Sequence, residues 1–263
     1  VVDNDSSEDL TPLQKMTEDV LLIRNKENYG YAGGNNVGIR KASELGCKYC
    51  WILNNDTTVA RDSLARMVIE LENEQKLAAV TNLILYYDDP SLAWFAGGFF
   101  DKGLPAIRGY FKKINVAKEE KSGPVVETKY LCGCSFVART ATLEVIGGFD
   151  EGYFCYVEDV DLSLTLVVAG YNIGYVPGAV VWHKVSRSSG NHSPIKLYYK
   201  HRNVIYFLNK FDAPASASFS WWWTSLRFVA SLAIKHRNYR ASWYLFRGLV
   251  DAVRNKRGKL SGL

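Results

Sequence analysis

The stretch ENYGYAGGNNVGIRKASELGCKYCWILNNDTTV, residues 27–59, decides how the rest of the chain reads. Glycine and asparagine crowd positions 28–36. Residues 34–45 then predict a short helix with Gly38, Ala42 and Leu45 on one stripe, and KYCWILN, 48–54, predicts an apolar strand. That strand ends in Asn54-Asn55-Asp56. Glycines let the backbone approach a ligand closely, and the N–H groups opening a helix favour anions. A carboxylate such as Asp56, delivered by a strand end, is suited to Mg²⁺ or Mn²⁺, which take oxygen ligands and bridge diphosphate oxygens. Both turns are therefore expected at the edge of an open parallel sheet where ligands gather, beyond the carboxyl ends of the strands.

The flanking sequence extends the pattern. VVD, 1–3, is an apolar stub whose Asp3 either meets a base or ribose hydroxyl or closes an Asx turn. VLLIR, 20–24, and LAAVTNLILYY, 77–87, predict strands. Residues 61–75 predict a helix, with Leu64, Met67, Val68 and Leu71 at helical spacing. Strands alternating with helices in this way argue for right-handed βαβ units and a mostly parallel, Rossmann-like sheet. Residues 91–137 lose the helical rhythm, and 112–124 reads as a charged loop. In GGFDEGYFCYVEDVDL, 147–162, Glu158, Asp159 and Asp161 crowd the start of a helix over 158–169. Residues i and i+2 diverge on a helix, so at most one of Asp159 and Asp161 faces a pocket. YNIGYVPGAVVWH, 171–183, reads as two short strands about a Pro-Gly turn. It ends at His183, which is either a packed core residue or a ligand. Three helices are expected after Pro194, over about 194–210, 217–236 and 239–255.

The 263 residues are 48% hydrophobic, enough for one large α/β domain with a helical appendage. Five cysteines without a secreted-framework spacing point to a reducing compartment. Cys47-x-x-Cys50 with Cys132-x-Cys134 has the makings of a zinc site, but these residues lie in apolar runs, which favours core packing. The net charge of +5 hides a split. Residues 1–183 carry 17 Lys/Arg against 25 Asp/Glu, a net of −8, and residues 184–263 carry 15 against 2, a net of +13. A basic part of this kind is expected to meet nucleic acid or an anionic membrane surface. No nucleic-acid motif accompanies it, which leaves the membrane.

Taken in order, VVDNDSSED, NYGYAGGNNVGI, WILNNDTTV, GGFDEGYFCYVEDVDL, GYNIGYVPGAVVWH, YYKHRNVIYFLNK and YLFRGLVDAVRNKRGK resemble a family 2 glycosyltransferase of the GT-A fold, in its rhamnosyltransferase-like branch. The resemblance runs from residue 1 to about 260. It implies a catalytic domain over 1–193, with a nucleotide-binding half, 1–90, and an acceptor-side half, 91–193, followed by a basic helical region, 194–263. It implies that Asp3, Asn28, Gly34, Asn35 and Asn55 line the nucleotide pocket, that Asp56 and His183 hold Mn²⁺ or Mg²⁺, and that Asp159 is the general base. The donor would be a nucleotide-diphosphate sugar. The acceptor would be a glycan, lipid-linked, in cell-surface polysaccharide synthesis, with transfer inverting the anomeric centre. Asn54 stands where such enzymes carry an Asp, and Thr165 where relatives carry an Arg. The chain reads as beginning at the family's second strand, with the opening strand and helix missing, so a truncated, non-catalytic nucleotide- or glycan-binding relative is the alternative. Residues 217–234 are apolar but carry Arg227 and three tryptophans, and they are flanked by Lys196, Lys200, Arg202, Lys235, Arg237, Arg240, Arg247 and Arg254. This predicts peripheral contact with the cytoplasmic face of the cell membrane through an interfacial helix, and no nucleic-acid partner. The oligomeric state is open.

Overall fold

The computed structural model describes residues 1–16, 19–101, 104–107, 112–113, 125–184 and 193–260; most of the 112–124 loop lies outside them. The chain begins with β1 (Val2–Asp3), α1 (Thr11–Met16), β2 (Ile23–Arg24), α2 (Gly30–Glu44), β3 (Tyr49–Leu53), β4 (Thr57–Val59), α3 (Ser63–Asn73) and β5 (Leu77–Tyr86). Then come β6 (Leu92–Phe95), β7 (Gly98–Asp101), β8 (Leu104–Ile107), β9 (Lys112–Lys113), β10 (Val126–Thr128), β11 (Ser135–Arg139), α4 (Thr140–Val145), a 3₁₀ turn (Glu151–Tyr153), α5 (Glu158–Val168) and β12 (Asn172–His183). Three helices close it: α6 (Pro194–Lys210), α7 (Ala215–Ile234) and α8 (Tyr239–Val253).

The main sheet runs β10-β12-β5-β11-β3, with β4 on β12 and β6 on β5. Its direct ladders are mixed, not mostly parallel. β12 pairs parallel with β5, whereas β11 lies antiparallel between β5 and β3. Because β11 opposes both neighbours, β3, β5 and β12 still run in one direction and end at one edge. The expectation of parallel strands was right for these three and missed the strand inserted between them. β1 and β2 pair parallel in a sheet of their own. β5 is buried along almost its whole length, as a central strand covered on both faces must be.

Helices cover both faces. On one, Ala32 and Ile39 of α2 and Leu162 and Leu166 of α5 pack on Ile52, Ala79 and Phe136. On the other, Met67 and Leu71 of α3 pack on Val80, Val137 and Val176. Leu64, placed by its spacing on the same stripe, is exposed. The Pro-Gly turn expected within 171–183 is instead an interruption of one continuous strand. The register of β12 on β5 shifts between Val176 and Val180, around Pro177, where a residue without an N–H cannot serve the ladder. α6, α7 and α8 share a core of Leu197, Ile205, Leu232, Leu245 and Leu249. α8 meets α6 closely at Gly248, where a Cβ would fall 2.5 Å from the carbonyl oxygen of Tyr198.

Candidate active site

Three chain segments meet at the edge where β3 and β12 end. β4 runs antiparallel to the last residues of β12, pairing Thr57 with His183, and the Lys184 amide donates to the Asp56 carbonyl at 2.9 Å. This register brings two side chains 127 positions apart in the sequence into contact. His183 Nε2 lies 3.2 Å from Asp56 Oδ1. The pair lacks the alignment of a hydrogen bond: Asp56 Oδ1 and His183 Nδ1 are both buried with no hydrogen-bond partner. Trp94 stands edge-on to the imidazole, with ring centroids 5.0 Å apart, and limits its rotation. Burial lowers the pKa of His183 and the neighbouring Asp56 charge opposes it; the net shift is downward, which favours the neutral ring.

The loop before β11 joins this pair to α5. The Asn54 amide donates to the Cys134 carbonyl at 2.9 Å. The Gly133 amide donates to Asp159 Oδ2 at 2.9 Å, and the Tyr130 hydroxyl donates to the same oxygen at 2.9 Å. The Tyr31 hydroxyl, from α2, donates to the Gly133 carbonyl. Burial pushes the Cys134 thiol up, and the charges of Asp56 and Asp159 add to it, so both carboxylates act on one point of this loop. Asp159 is pushed above the ordinary aspartate range by burial, against the pull of the Gly133 and Tyr130 hydrogen bonds. Glu158 is buried beside it with Oε2 unpartnered. Burial first, then the Asp159 charge, pushes its carboxyl well up. Val157, at the helix entrance, has a left-handed backbone (φ 79°), which turns the chain sharply into this pair.

The remaining expected residues group elsewhere. The turn expected over 28–36 is a helix from Gly30 onward, so the Gly/Asn run forms the first two turns of α2 and not a loop. Its polar side chains serve the backbone. Asn28 Oδ1 accepts from the Gly30 amide at 2.8 Å and from Asn4 Nδ2 at 3.1 Å. Asn35 Nδ2 donates back to the Tyr31 carbonyl at 2.8 Å. Gly34 packs so closely on Asn4 that a Cβ would fall 3.2 Å from its amide nitrogen. Asp3 is buried and accepts the amide of Ser6, three residues on, at 2.9 Å, and that bond lowers its pKa. Asn55 is exposed at the β3–β4 turn.

Sequence reading missed Asn4, Tyr130 and Gly133. Asn4 holds Asn25, Asn28, Tyr29 and Gly30 together at the start of α2. The available signal was its place directly after Asp3. For Gly133 the signal was a glycine between two cysteines ahead of a strand: a Cβ there would come 3.1 Å from the Tyr31 hydroxyl and 3.2 Å from Asp159 Oδ2.

The donor set fits a divalent cation. One carboxylate oxygen and one imidazole nitrogen sit 3.2 Å apart. Two cis ligands of an octahedral ion with bonds of ~2.1 Å stand about 3 Å apart. Among the described residues no cluster of three or more metal-ligating side chains occurs.

The model of Glycosyl transferase family 2 matches residues 1–141. An N-acetylglucosaminyl-diphospho-decaprenol L-rhamnosyltransferase of Mycobacterium tuberculosis is 36% identical over 148 residues, 53% of this chain and 46% of the relative. Rhamnosyltransferase WbbL of Escherichia coli is 30% identical over 156 residues, 57% and 58% respectively. The alignments thus span about half the length of these relatives. Among solved structures, the mannosyltransferase PcManGT from Pyrobaculum calidifontis, in complex with GDP-Man and Mn²⁺, aligns with a TM-score of 0.57 at 19% identity, over 98% of this chain and 78% of that one. GalNAc-T7 with UDP, GalNAc and Mn²⁺ aligns with a TM-score of 0.60 at 16% identity, over 79% and 40%. These likenesses show the fold.

Proposed function

Because the chain belongs to glycosyltransferase family 2, we propose that it is an inverting glycosyltransferase that moves rhamnose or a related hexose from a nucleotide diphosphate to a lipid-linked glycan. One observation carries the reading. The Asp56–His183 pair and the Asp159 carboxylate are tied to one loop, residues 132–134, at one sheet edge. The rhamnosyl donor and the lipid-linked acceptor are taken from the names of the relatives.

In this reading Asp159 is the general base. The acceptor hydroxyl oxygen attacks the anomeric carbon from the face opposite the diphosphate. The carbon–oxygen bond to the diphosphate breaks, and its electron pair leaves with the nucleotide. The hydroxyl proton passes to Asp159. The Gly133 amide and the Tyr130 hydroxyl both occupy Oδ2 and fix the carboxylate plane. Oδ1 accepts the amide of its neighbour Val160 and keeps lone-pair capacity for the proton. Mn²⁺ or Mg²⁺ held by Asp56 and His183 would neutralise charge on the departing diphosphate. The downward shift of His183 favours the neutral imidazole that such binding needs. Asp3, Asn28, Gly34, Asn35 and Asn55 are proposed to shape the nucleotide side, Asn28 and Gly34 through the Asn4 cluster.

The basic helices are proposed to rest on the cytoplasmic leaflet. No described helix is long and apolar enough to cross a membrane. Two of the three tryptophans pack inward, Trp221 against His201 and Trp222 in the helical core, and Trp223 is exposed. Phe219, Trp223 and Leu226 of α7 and Tyr239, Trp243, Phe246 and Val253 of α8 form exposed apolar stripes, the arrangement of an interfacial surface. Arg202, grouped by sequence with the lipid-facing cations, is instead buried.

The test is transfer from dTDP-rhamnose to N-acetylglucosaminyl-diphospho-prenol with Mn²⁺. Formation of a product of inverted anomeric configuration, lost in Asp159→Asn, supports the reading. Donor binding without transfer or hydrolysis would turn it to the non-catalytic alternative.

A further inference from the structure

A cavity of about 630 Å³ opens between the second half of α6, Trp222 of α7 and the end of α8. It takes no part in the chemistry above. Its lining is unusual in charge. Arg202 is 1% exposed, yet among the described residues it has no carboxylate within salt-bridge distance. Its Nη1 donates to the Gly258 carbonyl at 2.7 Å, its Nη2 to those of Tyr153 at 2.9 Å and Gly152 at 3.3 Å, and its Nε to Asn203 Oδ1 at 2.8 Å. These bonds occupy four of the five guanidinium protons. Carbonyl dipoles solvate the charge without neutralising it, and a buried ion lacking a counter-charge costs several kcal/mol.

Arg257, which also lines the cavity, likewise has no carboxylate within salt-bridge distance among the described residues. Its guanidinium stacks on Tyr206 at 4.2 Å and donates to the Tyr206 hydroxyl at 3.0 Å, which in turn donates to Asp150 at 2.7 Å. The lining lysines are paired: Lys210 with Asp150 and Asp161, Lys256 with Asp251. The two guanidinium groups are therefore in excess. Ile205, Trp222, Ala252 and Val253 give the lining an apolar part beside Asn209 and Asn255, and Val253 belongs both to the cavity and to the exposed stripe of α8. A cavity of this size exceeds what a bare phosphate fills and lies within the ~300–1,000 Å³ of small-molecule sites. A cationic floor that opens beside an apolar face fits an amphiphile with an anionic head.

We propose that this cavity receives the phosphate headgroup of an anionic membrane lipid, with Arg257 and Arg202 as its counter-charges and the acyl chains leaving along the α8 stripe. The membrane reading above supplies the source of the ligand. The head would fix the orientation of α6, whose Arg202 and Asn203 hold the carbonyls of 152–156 that lead into Glu158 and Asp159.

The test titrates the full chain with soluble probes and follows tryptophan fluorescence, since Trp222 lines the cavity. The probes are dihexanoyl-phosphatidylglycerol below its micelle concentration, dihexanoyl-phosphatidylcholine and inorganic phosphate. Phosphatidylglycerol is expected to saturate at least about tenfold more tightly than either of the others, and Arg257→Glu to weaken it at least about tenfold, as loss of a charge-assisted phosphate contact does. Arg257→Gln should fall between, and Lys76→Glu, exposed just ahead of β5 and far in sequence from the cavity lining, should change nothing. Equal affinity for inorganic phosphate would make this a free-phosphate site. Equal affinity for phosphatidylcholine would leave only an apolar surface. No saturation, or saturation unchanged by Arg257→Glu in a folded variant, would overturn the proposal. Sedimentation with vesicles tests the membrane reading separately, so failure of one is distinguishable from failure of the other.

Discussion

Asp159 and Asp161 leave α5 in different directions. Asp159 accepts the Gly133 amide and the Tyr130 hydroxyl at the sheet edge, whereas Asp161 is nearly fully buried against the Tyr153 hydroxyl, 2.8 Å away, and the Lys210 ammonium, also 2.8 Å away. Two carboxylates two residues apart therefore have separable tasks. Asp159→Asn is expected to lower turnover by ~10²–10⁴, the range for loss of a general base, with nucleotide affinity and Tm nearly unchanged. Asp161→Asn is expected to cost about 1.5–3 kcal/mol of stability, the worth of a hydrogen bond to a charged group, while the remaining folded enzyme keeps its turnover. Steady-state kinetics beside thermal melts separate the two. Turnover above about a tenth of wild type in Asp159→Asn would move the base elsewhere.

The Asp56–His183 contact predicts a shared dependence on metal. Asp56→Ala and His183→Ala are both expected to weaken Mn²⁺-supported binding of the nucleotide diphosphate by at least roughly 100-fold, since outer-shell changes alone typically cost 10–100-fold. Calorimetry with and without Mn²⁺ measures this. Unchanged metal dependence in His183→Ala would make the histidine a packing residue against Trp94.

Gly133 tests the loop that joins the two halves of the site. A methyl group there would press on both the Tyr31 hydroxyl and Asp159 Oδ2. Gly133→Ala should lower kcat at least about tenfold through misplacement of the base, with the Mn²⁺ dependence of nucleotide binding retained. A Gly133→Ala enzyme with wild-type kcat would show that the loop does not position Asp159.

What the sequence disclosed and what it hid have physical causes. Asp56 and His183 stood at the ends of patterned strands and Asp159 at the start of a helix, and it was the family resemblance that joined the three in one site. The three terminal helices were legible because their apolar periodicity is long. The helical state of residues 30–33 was hidden, because glycine has low helix propensity and the helix start is held there by Asn4 from another segment. The inserted strand β11 was hidden because SFVAR is short and apolar on both faces, which carries no direction. The bulge at Pro177 looked like a turn because proline and glycine mark both.

The acid limb of the pH profile should carry the Glu158–Asp159 coupling. Both carboxyls are raised, so kcat/KM should fall as pH drops through a range above the ordinary aspartate value near 3.9, in a broad step belonging to the pair. In Glu158→Gln the step should sharpen. Stability gives an independent readout with a definite sign. A buried carboxyl whose folded pKa is raised carries no penalty below its unfolded pKa. The penalty grows as pH rises through that value and levels off above the folded one. Glu158→Gln should therefore raise Tm at about pH 7.5 and have little effect at about pH 4, below the ordinary glutamate value of ~4.3. An equal Tm shift at both pH values would mean that Glu158 titrates normally.

The exposed stripes of α7 and α8 give the last prediction. Trp243 and Phe246 stand 59% and 42% exposed, and Trp223 is 56% exposed. Burying such rings at a headgroup boundary gains apolar free energy at ~25 cal/mol per Å², while nearby cations such as Arg240 and Lys235 add up to ~1 kcal/mol each against anionic lipid. The two contributions differ in salt dependence. Trp243→Ala with Phe246→Ala should weaken sedimentation with neutral and anionic vesicles alike and leave Tm within about 0.5 kcal/mol equivalent, as surface substitutions do. Reversing Arg240 and Lys235 to Glu should weaken sedimentation only with anionic vesicles, and the effect should vanish at high salt. Equal recovery of the wild-type chain in the supernatant with neutral and anionic vesicles at low salt would remove the membrane from this account and leave the +13 charge of residues 184–263 to another anionic partner.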